Sequence, residues 1–207
     1  HCYIKVDREN GNVCVSVPIG WNVKAVEELV RSKASWIKRK QAAVSDRVLN
    51  RKFEFNNGEL HQVWGSEVPL INTSNSGRRG VKRSQYALVI NAPAESSLDT
   101  REKLLTAWYA QEVKSAALAL VDKWEPVLGV KAGRLSAQKM KSKWGSCNIQ
   151  NGNIRLNSEL AKFPKGALEH VIVHELVHLL EPSHGKRFYS LMDEFLPNWK
   201  ALKALTG

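Results

Sequence analysis

The segment His174-Glu175-Leu176-Val177-His178 constrains this chain more than any other. Val171, Ile172 and Val173 lead into it and Leu176, Val177, Leu179 and Leu180 continue it, so it reads as a buried helix rather than a loop. On a helix, residues four apart stand one above the other, so His174 and His178 face one cleft and can share a tetrahedral metal ion. Glu175, one position round, falls beside that ion instead of on it, where a general base must stand to take a proton from water. Pro182 has no amide hydrogen and is expected to end the helix, and Glu181-Pro182-Ser183 turns the chain so that His184 returns as a third ligand. Three nitrogens with an open fourth corner describe a catalytic site, whereas structural sites are closed. Glu194, on the next apolar segment, is the rival third ligand, because a carboxylate can also complete such a set. A lone histidine would by default be an ordinary core or surface residue, but half of the six histidines fall within these eleven residues, with a glutamate between two of them.

The remaining pattern is that of a mixed α+β chain. Residues 3–7 and 13–17 alternate either side of Asn10-Gly11, as in a β-hairpin. Residues 23–47 carry apolar side chains at spacings of three and four and form an amphipathic helix, bent near Ser32. Short strands follow at 59–64, 67–72 and 86–90, with a tight turn at Gly65 and a polar, mobile loop over 72–80. Ser97 caps a long helix over 97–128, which Pro126 and Gly129 close. Residues 134–140 read as an edge strand, 141–148 as a tight polar loop and 154–157 as the partner strand, giving a two-stranded ribbon ahead of the histidine helix. That helix starts near Ala167, and a last helix after Ser183 turns Phe188, Leu191, Met192 and Phe195 inward before Pro197 ends it. Pro93-Ala94-Glu95-Ser96-Ser97 is the one linker-like stretch, too short to free two domains. The expected organisation is therefore a β-rich region over 1–96 and a metal-binding region over 97–207 in one compact unit.

Charge and cysteines narrow the setting. The formal net charge is +11, spread over both halves, which favours anionic partners in general and permits a weak nucleic-acid association without naming one. Arg78, Arg79, Lys82 and Arg83 form the densest basic cluster. Cys2, Cys14 and Cys147 are odd in number and lack framework spacing, which argues for reduced thiols and a cytoplasmic setting. No apolar run is long enough to span a bilayer, and no charged-then-apolar leader is visible after His1, so no membrane partner is expected.

The run MKSKWGSC at 140–147, IRLN at 154–157, VIVHELVHLLEPSHGKRF at 171–188 and LPNW at 196–199 together resemble the YgjP-like metallopeptidase family, and the likeness extends to ASWI at 34–37 and to Trp108-Tyr109. The resemblance implies a zincin-like minimal metalloprotease, near the SprT-like proteins, with Zn2+ held by His174, His178 and His184 and Glu175 as base. The better-known metalloprotease pattern places glycine three residues after the second histidine. Glu181 stands there instead, with the ligand spacing of four and then six unchanged.

Three functional readings remain. The first is a peptidase acting on peptide or protein substrates, in which Arg155, Asn157 or Lys143 would face the negative charge developing on the carbonyl oxygen. Trp144 would anchor the loop before them, and Cys147 would be a structural thiol or a group close to the metal. The second is a nucleotide pyrophosphatase acting on UTP-like substrates, a label some relatives carry, with Lys141, Lys143, Arg155, Lys186 and Arg187 on the phosphates. Against it, no Gly-rich phosphate loop is present and three histidines do not suit magnesium. The third is a basic nucleic-acid-associated module with a structural metal, which would have no use for Glu175. The oligomeric state is not encoded in any of these features.

Overall fold

The computed structural model describes residues 3–6, 13–18, 20–50 and 53–206, and the side chains of all of these except 43–50. Strands β1 (Tyr3–Val6) and β2 (Val13–Ser16) pair antiparallel with Tyr3 opposite Ser16, while the expected Asn10-Gly11 turn lies outside the described residues. Helix α1 (Val23–Ser32) begins at Asn22, whose side chain accepts from the Lys24 amide at 2.9 Å. Lys33 separates it from α2 (Ala34–Asn50), so the expected bend is a break of one residue.

Four strands form the second sheet: β3 (Leu60–Val63), β4 (Ser66–Thr73), β5 (Gly80–Arg83) and β6 (Leu88–Asn91), in the order β3-β4-β6-β5. Trp64 and Gly65 join β3 to β4, both at positive φ (52° and 81°), as a tight two-residue hairpin requires. The Trp64 amide donates to the Ala161 carbonyl at 2.6 Å, so this hairpin is anchored to the segment that introduces the histidine helix. Strand β5 has no counterpart in the sequence reading, because Val81-Lys82-Arg83 offers one apolar side chain and no alternation. The preceding loop, expected to be mobile, is tied down: the Asn91 side chain donates to the carbonyls of Gly77 (3.0 Å) and Arg78 (3.2 Å) and accepts from the Asn75 amide (3.1 Å).

Helix α3 (Leu98–Leu128) is the spine. Its 31 residues span about 46 Å at 1.5 Å each. Ser97 caps it by accepting from the Thr100 amide, and Gly129 ends it at φ 68°. Pro126 lies inside the last turn instead of closing the helix. Leu105, Tyr109, Val113, Ala117, Val121, Trp124 and Leu128 are buried at steps of three and four, one continuous stripe that the second sheet, the third sheet and the histidine-bearing helix with its 3-10 lead-in cover. One buried cluster therefore runs from Phe55 to Trp199, across both regions of the chain.

The third sheet holds β7 (Leu135–Gln138), β8 (Gly145–Cys147) and β9 (Ile154–Asn157) in the order β7-β9-β8. The expected two-stranded ribbon is thus three-stranded. β7 and β9 run parallel and cannot be joined by a tight turn, so the intervening chain crosses and returns as β8, antiparallel to β9. Its residues, glycine, serine and cysteine, carry no strand signature, which is why 141–148 reads as loop. A 3-10 helix (Ser158–Lys162) then leads to α4 (Lys165–Val177), α5 (Lys186–Phe195) and α6 (Trp199–Lys203). Helix α4 stops five residues before Pro182, because short amide bonds from Leu179 to the Leu176 carbonyl and from Leu180 to the Val177 carbonyl tighten its end. The result is an α+β protein with α4 held between α3, α5, α6 and the edge strand β8.

Candidate metal centre

Helix α4 is apolar on nearly every side: Ala167, Leu168, Val171, Ile172, Val173, Leu176 and Val177 are all buried. It is therefore a rigid platform. His174 sits in its last turn, and His178 is its C-cap, still in helical conformation, so the two imidazoles lie 4.9 Å apart between centroids. The turn after it returns His184 to 4.9 Å from His174 and 4.6 Å from His178. Phe188 of α5, fully buried, packs against all three rings at 4.6–4.9 Å and forms the floor of the group. Glu181, where the better-known metalloprotease pattern has glycine, needs no left-handed backbone: its carboxylate accepts from the Ser183 hydroxyl (2.7 Å) and amide (3.2 Å) and braces the turn.

The donor set fits a divalent cation. One ring nitrogen from each of His174, His178 and His184 lies within 4.8 Å of the others, and the Nε2 atoms of His174 and His184 are 3.0 Å apart. Tetrahedral bonds of about 2.0–2.1 Å would need nitrogens roughly 3.3 Å apart, so small ring rotations suffice. The Nδ1–H of His178 donates to the Glu181 carbonyl at 3.3 Å, which leaves its Nε2 lone pair free. Burial, then the neighbouring imidazoles, push the His174 pKa down to about 3, and burial lowers His178 as well. Both rings are thus neutral, the form that binds metal. Glu194 is exposed on α5 and outside this convergent set.

Glu175 faces the same cavity, of about 500 Å3, as the three histidines. It is 5% exposed and, among the described residues, no donor hydrogen-bonds its carboxylate. Burial pushes its pKa up to about 7, with the Lys143 ammonium pulling the other way. A cation seated on the imidazoles would pull it further down. The carboxylate lies against Gly145 of β8: a Cβ there would meet Glu175 Oε1 at 2.6 Å.

The three residues expected near a developing oxyanion are placed differently. Lys143 lines the histidine cavity. Arg155 is exposed on β9 and lines an adjoining depression with Arg134 and Gln138, which meets the histidine cavity at Ser146 and Cys147. Asn157 is buried, and its amide is spent on structure: it donates to the carbonyls of Met140 (3.0 Å) and Lys143 (2.9 Å) and accepts from the amides of Met140 and Glu159. Trp144 packs edge-on to Phe163 at 5.2 Å. Cys147 lines the cavity half-buried, its thiol pushed up to about 11 by burial and by Glu175. His170, one turn before His174, went unnoticed in the sequence. It is buried, stacks on Trp199 and also lines the cavity. Its spacing of four from His174 was the available signal, masked because the third ligand was sought downstream.

The family description "YgjP-like, metallopeptidase domain" matches residues 1–205. No curated protein sequence matches. Similar solved structures include the metallopeptidase zymogen of Pyrococcus abyssi abylysin, at 17% identity over 42% of this chain and 88% of that one, with a TM-score of 0.39. Another is the metallopeptidase zymogen of Methanocaldococcus jannaschii jannalysin, at 20% identity over 42% and 89%, with a TM-score of 0.38. Among the described residues no helix is long and apolar enough to cross a membrane.

Proposed function

The chain belongs to the YgjP-like metallopeptidase family, and from that premise we propose a zinc-dependent peptidase in which His174, His178 and His184 hold the metal and Glu175 is the general base. The observation that carries this reading is the convergence of three imidazoles beside a buried carboxylate that, among the described residues, accepts no hydrogen bond. The catalytic part is 97–207, and from 1–96 strands β3, β5 and β6 pack against it. His174, His178 and His184 would hold the zinc ion, which would supply Lewis acidity toward a substrate carbonyl and toward water. Glu175 takes the proton of the attacking water and, once protonated, gives it to the leaving amine. Its burial favours the protonated form and so lets it hold the proton between the two steps. Lys143, at the cavity, faces the charge that develops on the carbonyl oxygen. Among the described residues strand β8 has a sheet partner on one side only, so its other edge, along the cavity that Glu175 also lines, is where an extended peptide adds as a further strand.

The test is peptide cleavage by zinc-loaded wild type and Glu175→Gln, each with a chelator control, beside pyrophosphate release from UTP. Wild type is expected to cleave peptide, the chelator to stop it, and the variant to keep zinc while losing about 100-fold or more in rate. A fully active glutamine variant would remove Glu175 from its role, and release of pyrophosphate without peptide cleavage would replace the substrate class.

A further inference from the structure

A second cavity, of about 1100 Å3, opens between β5, β6 and the N-terminal half of α3, and shares no residue with the histidine cavity. Its wall carries Arg78, Arg79, Lys82 and Arg83, all exposed. No acidic residue occurs between Glu67 and Glu95, and among the described residues none of these four cations forms an ion pair. Four like charges within six residues repel one another and are retained here without internal compensation. They are also presented on a fixed frame, since Asn91 holds the backbone of Gly77 and Arg78 and β5 pairs with β6 from Gly80 to Arg83. Opposite them, Trp108 of α3 lines the same groove, half-buried.

We infer that this groove binds single-stranded nucleic acid. Three of the four cations are arginines, whose planar fork matches phosphate oxygens in pairs. A backbone of phosphates tracking along them brings an unpaired base to the Trp108 ring, and cations together with an aromatic platform are what strand binding without sequence preference needs. A duplex keeps its bases stacked inside and could use the cations but not the ring. An acidic peptide has the same limitation.

Fluorescence anisotropy of a labelled twelve-nucleotide strand, titrated with the full chain across a salt series, tests this. Four contacts in a single strand give a slope of log K against log salt of about −3. Replacing Arg78, Arg79, Lys82 and Arg83 by alanine is expected to abolish most of that slope. Replacing Lys24, Lys38, Arg39 and Lys40, four exposed cations of α1 and α2, is expected to leave it. Trp108→Ala is expected to weaken binding roughly ten- to hundred-fold, and Trp108→Phe to restore most of it. Thermal melting of each variant checks the fold, and should Trp108→Ala not fold, the phenylalanine and cation variants still decide. Equal losses from the two quadruple variants would overturn the inference, as would a duplex or polyglutamate competing as well as the single strand, or no binding at low salt.

Discussion

At Gly145 the third sheet lies against the carboxylate of Glu175, and Gly145→Ala puts that approach to a quantitative test. Its φ is not in the left-handed region, so the glycine is there for space rather than for backbone freedom. An added methyl would meet Glu175 Oε1 at 2.6 Å, Val171 Cγ1 at 2.8 Å and Glu175 Cγ at 3.0 Å, where ordinary contacts begin at 3.4 Å. Something must therefore retreat by about 0.6–0.8 Å. Val171 belongs to a helix packed on every side and cannot move far. The carboxylate is the free end, and a displacement approaching 1 Å at a reacting group costs about 100-fold in rate. The expected result is a fall of about that size in kcat/KM on a fluorogenic peptide, with zinc content unchanged and stability lower by about 1–3 kcal/mol. In a Glu175→Gln background the same methyl should cost almost nothing further in rate, because no base remains to be misplaced. Wild-type kcat/KM in fully zinc-loaded Gly145→Ala would refute the reasoning.

Other expectations follow from the same geometry. His184→Ala should weaken zinc affinity by more than about 100-fold in a competition with a chromogenic chelator, whereas His170→Ala, outside the convergent set, should leave it within a few-fold. Asn157→Ala removes the bonds that fix Met140 and Lys143. It should lower stability by about 2–4 kcal/mol in urea unfolding and reduce kcat/KM with little change in zinc content. Glu125 closes the end of α3: burial pushes its pKa up, but the Lys131 ammonium and the Ala132 amide outweigh that and leave it below the ordinary value. Its contribution is therefore present above the unfolded pKa of about 4.3 and lost as pH falls through the lower folded value. The gap in melting temperature between wild type and Glu125→Gln should accordingly be widest near neutrality and close in acid.

The parts of this molecule that announce themselves in sequence are those with strong periodicity or punctuation. The α3 stripe from Leu105 to Leu128, the Ser97 cap and the Gly129 stop belong here, as do His174 and His178, four apart on an apolar helix. What stayed hidden depends on partners distant in the chain. Gly145-Ser146-Cys147 becomes a strand only because β9 offers a ladder and α4 needs a neighbour close enough that only glycine fits. Asn157 and Arg155, two apart, share one face of their strand, yet one is buried and the other exposed, because the loop of Met140 and Lys143 folds back over the Asn157 end only. Helix α4 ends before its proline because its carbonyls find short-range partners first, a choice that residue propensities do not record.

X-ray absorption at the zinc edge of the loaded protein addresses the coordination directly. Three imidazole nitrogens at about 2.0–2.1 Å and one light, exchangeable fourth neighbour are expected, unchanged in Cys147→Ser. A sulfur at about 2.3 Å, or a fourth imidazole in place of the exchangeable neighbour, would contradict a metal centre built from His174, His178 and His184 with room left for substrate.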